Sequence, residues 1–132
     1  MRASRLDNGD PVIVHGAPES LKAMIGAARA SGTDLLLIDT PAVIDKTHAY
    51  VASGSNLIAV PTRSSLVDRD SLRDTLEYLD TLGAMSRTVV VLNACGPDKP
   101  DREAMRSIIR EFAVARLDCE VEANAVLARA LG

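Results

Sequence analysis

No glycine-rich loop of the form G-x-x-x-x-G-K-[ST] occurs in the 132 residues, so the sequence holds no local element built to cradle a phosphate chain. Charge of one sign is not in excess either. Fifteen basic against eighteen acidic residues leave a net charge of −3, which removes any global electrostatic case for nucleic acid or an anionic membrane and leaves open only a local basic patch. Cysteine is scarce. Cys95 and Cys119 lie in unlike contexts, with no C-x-x-C and no histidine cluster, which argues against a metal centre and suits two buried thiols in a reducing compartment. The opening Met-Arg-Ala-Ser-Arg has no apolar core behind it, and no run approaches the ~18 apolar residues of a membrane span. A cytoplasmic protein with no membrane anchor is the expectation. Nothing resembles a linker, repeat or low-complexity segment, and the proline-bearing loop at 96–100 reads as a connection. With 47% hydrophobic residues, residues 1–132 are expected to form one domain with a real core.

Four short apolar runs are present, at 12–14, 35–38, 57–60 and 89–92. They are continuous rather than alternating and rich in β-branched residues, as strands of a parallel sheet covered on both faces require. Helical spacing fills the gaps. Leu21, Met24, Ile25 and Ala28 recur at i, i+3, i+4, i+7 behind Pro18, with Gly32 as a stop; Leu72, Leu76, Leu79 and Leu82 do the same before Gly83. Met105, Ile108, Ile109 and Phe112 form a third stripe, with Asp101 as its expected N-cap, while Val126, Leu127, Ala130 and Leu131 suggest a last short helix. A weaker helix is expected over 46–53. Alternating strands and helices predict an α/β fold: a doubly wound, mostly parallel sheet with helices on both faces, three layers in all.

Ligands of such sheets sit beyond the carboxyl ends of the strands. That rule selects Asp39-Thr40-Pro41, Pro61-Thr62-Arg63-Ser64-Ser65 and Asn93-Ala94-Cys95-Gly96. An unbroken apolar run ending in Asp-Thr-Pro is how many nucleotide hydrolases place a magnesium-directed carboxylate at a strand end.

Taken in order, Asp-Leu-Leu-Leu-Ile-Asp-Thr-Pro at 34–41, Ser-Asn-Leu-Ile-Ala-Val-Pro-Thr-Arg at 55–63 with Asp68 after it, and Val-Val-Val-Leu-Asn at 89–93 resemble consecutive motifs of the ParA/MinD-type partition ATPases. The resemblance runs from about Pro11 to Leu131, and the ending from Asn124 to Gly132 is similar to the family's late helix. It implies a P-loop NTPase-like fold and a role in plasmid or chromosome segregation, with ATP and magnesium as the cofactors of intact members. It also implies that Asp39 faces the magnesium shell indirectly, through water, that Asn93 hydrogen-bonds the adenine edge, and that Pro61 and Thr62 flank the nucleotide or a dimer partner. The chain departs from the pattern in two places. Glu122 or Asn124 stands where the family has an arginine, and the first strand, the deviant phosphate loop and its helix have no counterpart. Tight nucleotide binding is therefore not expected of this chain alone, nor is ATP turnover, since phosphoryl transfer rests on positioning and charge stabilisation.

The same residues have plainer readings. Asp39 caps a turn with Thr40 and Pro41, and Asn93 is a strand-end turn residue. Asp68 or Asp70 is a first-turn acid favoured by the helix dipole. His15 and His48 lack a nucleophile in a recognised frame and read as surface or turn residues; Cys95 would be a reactive thiol only beside a cation. Arg63, Arg69 and Arg73 are candidate contacts to DNA phosphates, but Asp68, Asp70 and Asp74 interleave with them as on a solvated mixed-charge face. Without the phosphate-loop strand the strand at 35–38 would expose its edge, so internal re-pairing or self-association is expected, any dimer being independent of nucleotide. The partners in view are a second copy, a full-length ATPase or an adaptor protein. A non-enzymatic interaction module on the same scaffold is the alternative function. A receiver-like domain is a third, weakened because its early acidic pair and late lysine are not in place.

Overall fold

The computed structural model describes residues 3–4, 12–41, 45–94, 99–118 and 121. The chain divides into two compact units, Met1–Val51 and Ala52–Gly132. It is a small α/β protein.

In the first unit β1 (Ala3–Ser4) pairs antiparallel with β2 (Ile13–Val14), Ala3 opposite Val14 and Ser4 opposite Ile13. A 3₁₀ turn (Pro18–Ser20) leads into α1 (Leu21–Ala30), which buries Leu21. The helix stops where expected. Gly32 adopts φ +72°, and the amides of Gly32 and Thr33 return to the carbonyls of Arg29 and Ala28, a Schellman closure that a left-handed glycine permits without steric penalty.

Two strand expectations fail here. The run at 12–14 forms only a two-residue antiparallel pair. The run at 35–38 forms no strand: residues 35–41 are irregular, and Leu35 and Leu37 are 73% and 82% exposed. Strand propensity is a preference for a pleated surface against neighbours, and these residues have no ladder partner among the described residues.

The second unit begins within α2 (Lys46–Gly54), which crosses the boundary between the units, and continues β3 (Ile58–Thr62), α3 (Leu66–Thr81), a 3₁₀ turn (Met85–Arg87), β4 (Thr88–Leu92), α4 (Lys99–Glu111) and β5 (Ala115–Arg116). The strands form a parallel sheet in the order β3-β4-β5. Ile58, Val60 and Thr62 stand opposite Thr88, Val90 and Leu92, so these six side chains share one face. On that face Val90 and Leu92 join Leu72 and Leu76 of α3, Met105, Ile108 and Ile109 of α4, and Val114 in one buried cluster. Both helices therefore cover the same side. Ala59 and Pro61, on the opposite face, are exposed.

Pro61 sits in a strand because β3 is an edge of this sheet, where a missing amide disrupts no central ladder. Asp101 is not the N-cap of the third helix. That helix starts at Lys99 and takes Pro100 into its first turn, where a proline is tolerated because the first amides have no intrahelical acceptor. The expected helix around 126–131, Cys95, Cys119, Glu122 and Asn124 lie outside the described residues.

Candidate functional site

At the carboxyl ends of β3 and β4 lies an open cleft of about 240 Å³. It is lined by Pro61, Thr62, Arg63 and Asn93 from the strand ends, by Asp68, Ser71 and Thr75 from the first half of α3, and by Val60 and Leu72 beneath. Four residues selected at strand ends from the sequence, Pro61, Thr62, Arg63 and Asn93, are thus brought together. The ladder explains how. The Asn93 amide donates to the Thr62 carbonyl at 2.7 Å, one step beyond the last paired residues, so the two strand ends are held side by side. Ala94 then turns the chain away with φ +48°, a left-handed conformation that costs a non-glycine residue roughly 1–2 kcal/mol.

The rim on the helix side is set by capping. Ser65 is the N-cap of α3; its hydroxyl accepts from the Asp68 amide at 3.2 Å and donates to the Asp68 carboxylate at 2.5 Å. The acid in the first turn is thereby fixed at the mouth of the cleft, in accord with the plainer reading of Asp68. Behind it, Ser71 donates to the Val67 carbonyl and Thr75 to the Ser71 carbonyl, which leaves each hydroxyl oxygen as an acceptor. Ser71 and Thr75 escaped the sequence reading. The signal was a polar stripe at 68, 71 and 75, spaced i, i+3 and i+7 beside the apolar stripe of Leu72 and Leu76.

Chemically the cleft offers a guanidinium, a carboxylate, an amide and hydroxyl acceptors over an apolar floor. Its volume is below the ~300–1,000 Å³ of ordinary small-molecule sites, and suits one planar hydrogen-bonding group rather than a nucleotide with its phosphates.

Asp39 belongs to the first unit, in the irregular stretch after residue 34, where it is exposed. Among the described residues no group of three or more histidine, cysteine, aspartate or glutamate side chains gathers as a metal site would. A lone exposed carboxylate is not a magnesium cage, which takes its remaining oxygens from water and bound phosphate. His48 is a largely covered residue within the first turn of α2, not the surface or turn residue expected. His15 is exposed.

Of the three arginines, Arg73 is committed elsewhere: it forms a paired contact with Glu111 and lies 5.7 Å from the centroid of the Phe112 ring. Arg69 sits 3.8 Å from Asp70. No described helix is long and apolar enough to cross a membrane. Neither a protein-family model nor a curated protein matches the chain.

Proposed function

We propose that this chain is a ParA-like partition-ATPase relative, a P-loop NTPase-like α/β scaffold that carries the base side of a nucleotide site without a phosphate grip. The observation that supports the reading is the convergence of Pro61, Thr62 and Asn93 on one cleft at the carboxyl ends of adjacent parallel strands. Those residues come from two separate motifs of the resemblance and end side by side where ligands of parallel sheets sit. By the same resemblance Asp39 is a carboxylate that would face magnesium through water once phosphates are held by another segment. The chain alone does not hydrolyse ATP in this reading, and its place is in DNA segregation in the cytoplasm, beside a full-length ATPase or an adaptor. The experiment is complementation in trans: a segment bearing the deviant phosphate loop of a ParA-type ATPase is added to this chain and ATP turnover is followed. Turnover that depends on both Asp39 and Asn93 supports the proposal. Its absence, while the chain still binds a partition ATPase or adaptor, moves the assignment to the second reading.

That second reading is a non-enzymatic interaction module. It draws on the exposure of Leu35, Leu36 and Leu37, an apolar run with no strand partner among the described residues. Association through such a run is independent of nucleotide. Sedimentation of the chain with and without ATP separates the cases: a concentration-dependent, ATP-indifferent oligomer supports the module, and a strict monomer at all concentrations counts against self-association.

A further inference from the structure

We propose that His48 is a strap that fixes the Asp39-Thr40-Pro41 segment on the amino-terminal end of α2. Both ring nitrogens are engaged. Nε2 lies 2.9 Å from the Pro41 carbonyl, which can only accept, so Nε2 carries the hydrogen. Nδ1 lies 3.2 Å from the Asp45 amide, from which it accepts in the neutral ring, and 3.2 Å from the Asp45 carboxylate, to which it donates when protonated. Asp45 in turn caps the helix, its carboxylate accepting from the Thr47 amide at 2.7 Å, and hydrogen bonds from Thr47, its side chain first and its amide second, lower the Asp45 pKa. The imidazole thus joins a helix cap to a carbonyl seven residues back. The His48 side chain is 19% exposed, while its partners Pro41 and Asp45 are open to solvent.

The consequence is mechanical. Asp39 lies in a stretch with no ladder hydrogen bonds, and two residues after it the backbone is tied down at Pro41. The direction of the Asp39 backbone is therefore set by α2 through His48, whatever meets the carboxylate. This rests on contacts within the first unit and not on a nucleotide reading of Asp39.

Length of side chain gives the test. The amide nitrogen of glutamine reaches about as far as Nε2, while that of asparagine reaches only as far as Nδ1, so His48→Gln keeps a donor for Pro41 and His48→Asn does not. The amide resonances of Asp39 and Thr40 are recorded by NMR in the wild-type chain and in His48→Gln, His48→Asn and His48→Ala, with circular dichroism as the check on folding. Wild-type positions in the glutamine variant, with displaced signals in the asparagine and alanine variants, are expected. Unmoved signals in His48→Ala, or rescue by asparagine equal to that by glutamine, would overturn the strap. Should the alanine variant unfold, the glutamine and asparagine pair decides alone.

Discussion

Arg73 on α3 grips Glu111 at the end of α4 with two parallel hydrogen bonds, 2.7 and 2.8 Å long, across 38 residues of sequence. The pair closes the outer side of the helix pair whose inner side is the apolar cluster. Arg73 holds the Glu111 carboxyl below its ordinary value of 4.5, chiefly through those hydrogen bonds. A carboxylate with a depressed folded-state pKa gives up its stabilising effect as the pH falls through that value, and retains it above the unfolded value. Both side chains are substantially exposed, so the effect is modest and screened by salt. Urea midpoints of wild type and Glu111→Gln are expected to differ most at neutral pH and low salt, and to converge in acid or in ~1 M salt. A gap that is constant with pH would contradict the assignment.

Leu76 is fully buried where α3 meets β4 and α4. Truncation to alanine removes its transfer free energy and opens a cavity in a close-packed region, which costs roughly 2–5 kcal/mol. Leu76→Ala is expected to lower the urea midpoint strongly without a change in slope. By contrast Val67→Ala, at a position 80% exposed, is expected to stay within about 0.5 kcal/mol of wild type.

Two helices end in a left-handed glycine, and α4 ends in the same way on an alanine. Gly83 has φ +61° and Ala113 has φ +50°, each amide bonding three residues back and the next amide five back. Ala113 carries the left-handed penalty that Gly83 avoids. Ala113→Gly is therefore expected to stabilise the chain by about 1 kcal/mol, and Gly83→Ala to destabilise it by a similar amount, both read from chemical denaturation. Nothing crowds Gly83, so the second effect reports backbone conformation rather than a clash.

The helices were the most legible part of the sequence. Leu72, Leu76 and Leu79 keep one face of α3 apolar, and Gly32 and Gly83 mark their helix ends, since both signals are local. Strands were read less well, because a ladder needs a partner that local sequence does not name. The run at 57–60 became β3 and extended through Pro61 and Thr62, but the equally apolar run at 35–38 did not pair. The third strand, Ala115–Arg116, is two residues long and carries no apolar run, so nothing announced it. Of the residues that line the cleft, Pro61, Thr62, Arg63 and Asn93 had been selected because ligands of parallel sheets sit beyond the strand ends. Ser71 and Thr75 were missed because a helix's polar stripe is ordinarily read as its solvent face. The bond from Arg73 to Glu111 was invisible to a reading that compared arginines with their neighbours in sequence.

The measurement that bears most directly on a nucleotide scaffold without a phosphate grip is a titration of the purified chain with a fluorescent ATP analogue. It is run with and without magnesium, on wild type, Asp39→Ala and Asn93→Ala. The expected result is no saturable, magnesium-dependent binding by any of the three. Saturable binding that requires magnesium and is lost in both variants would contradict it, by showing that a working phosphate and metal site is formed by this chain alone.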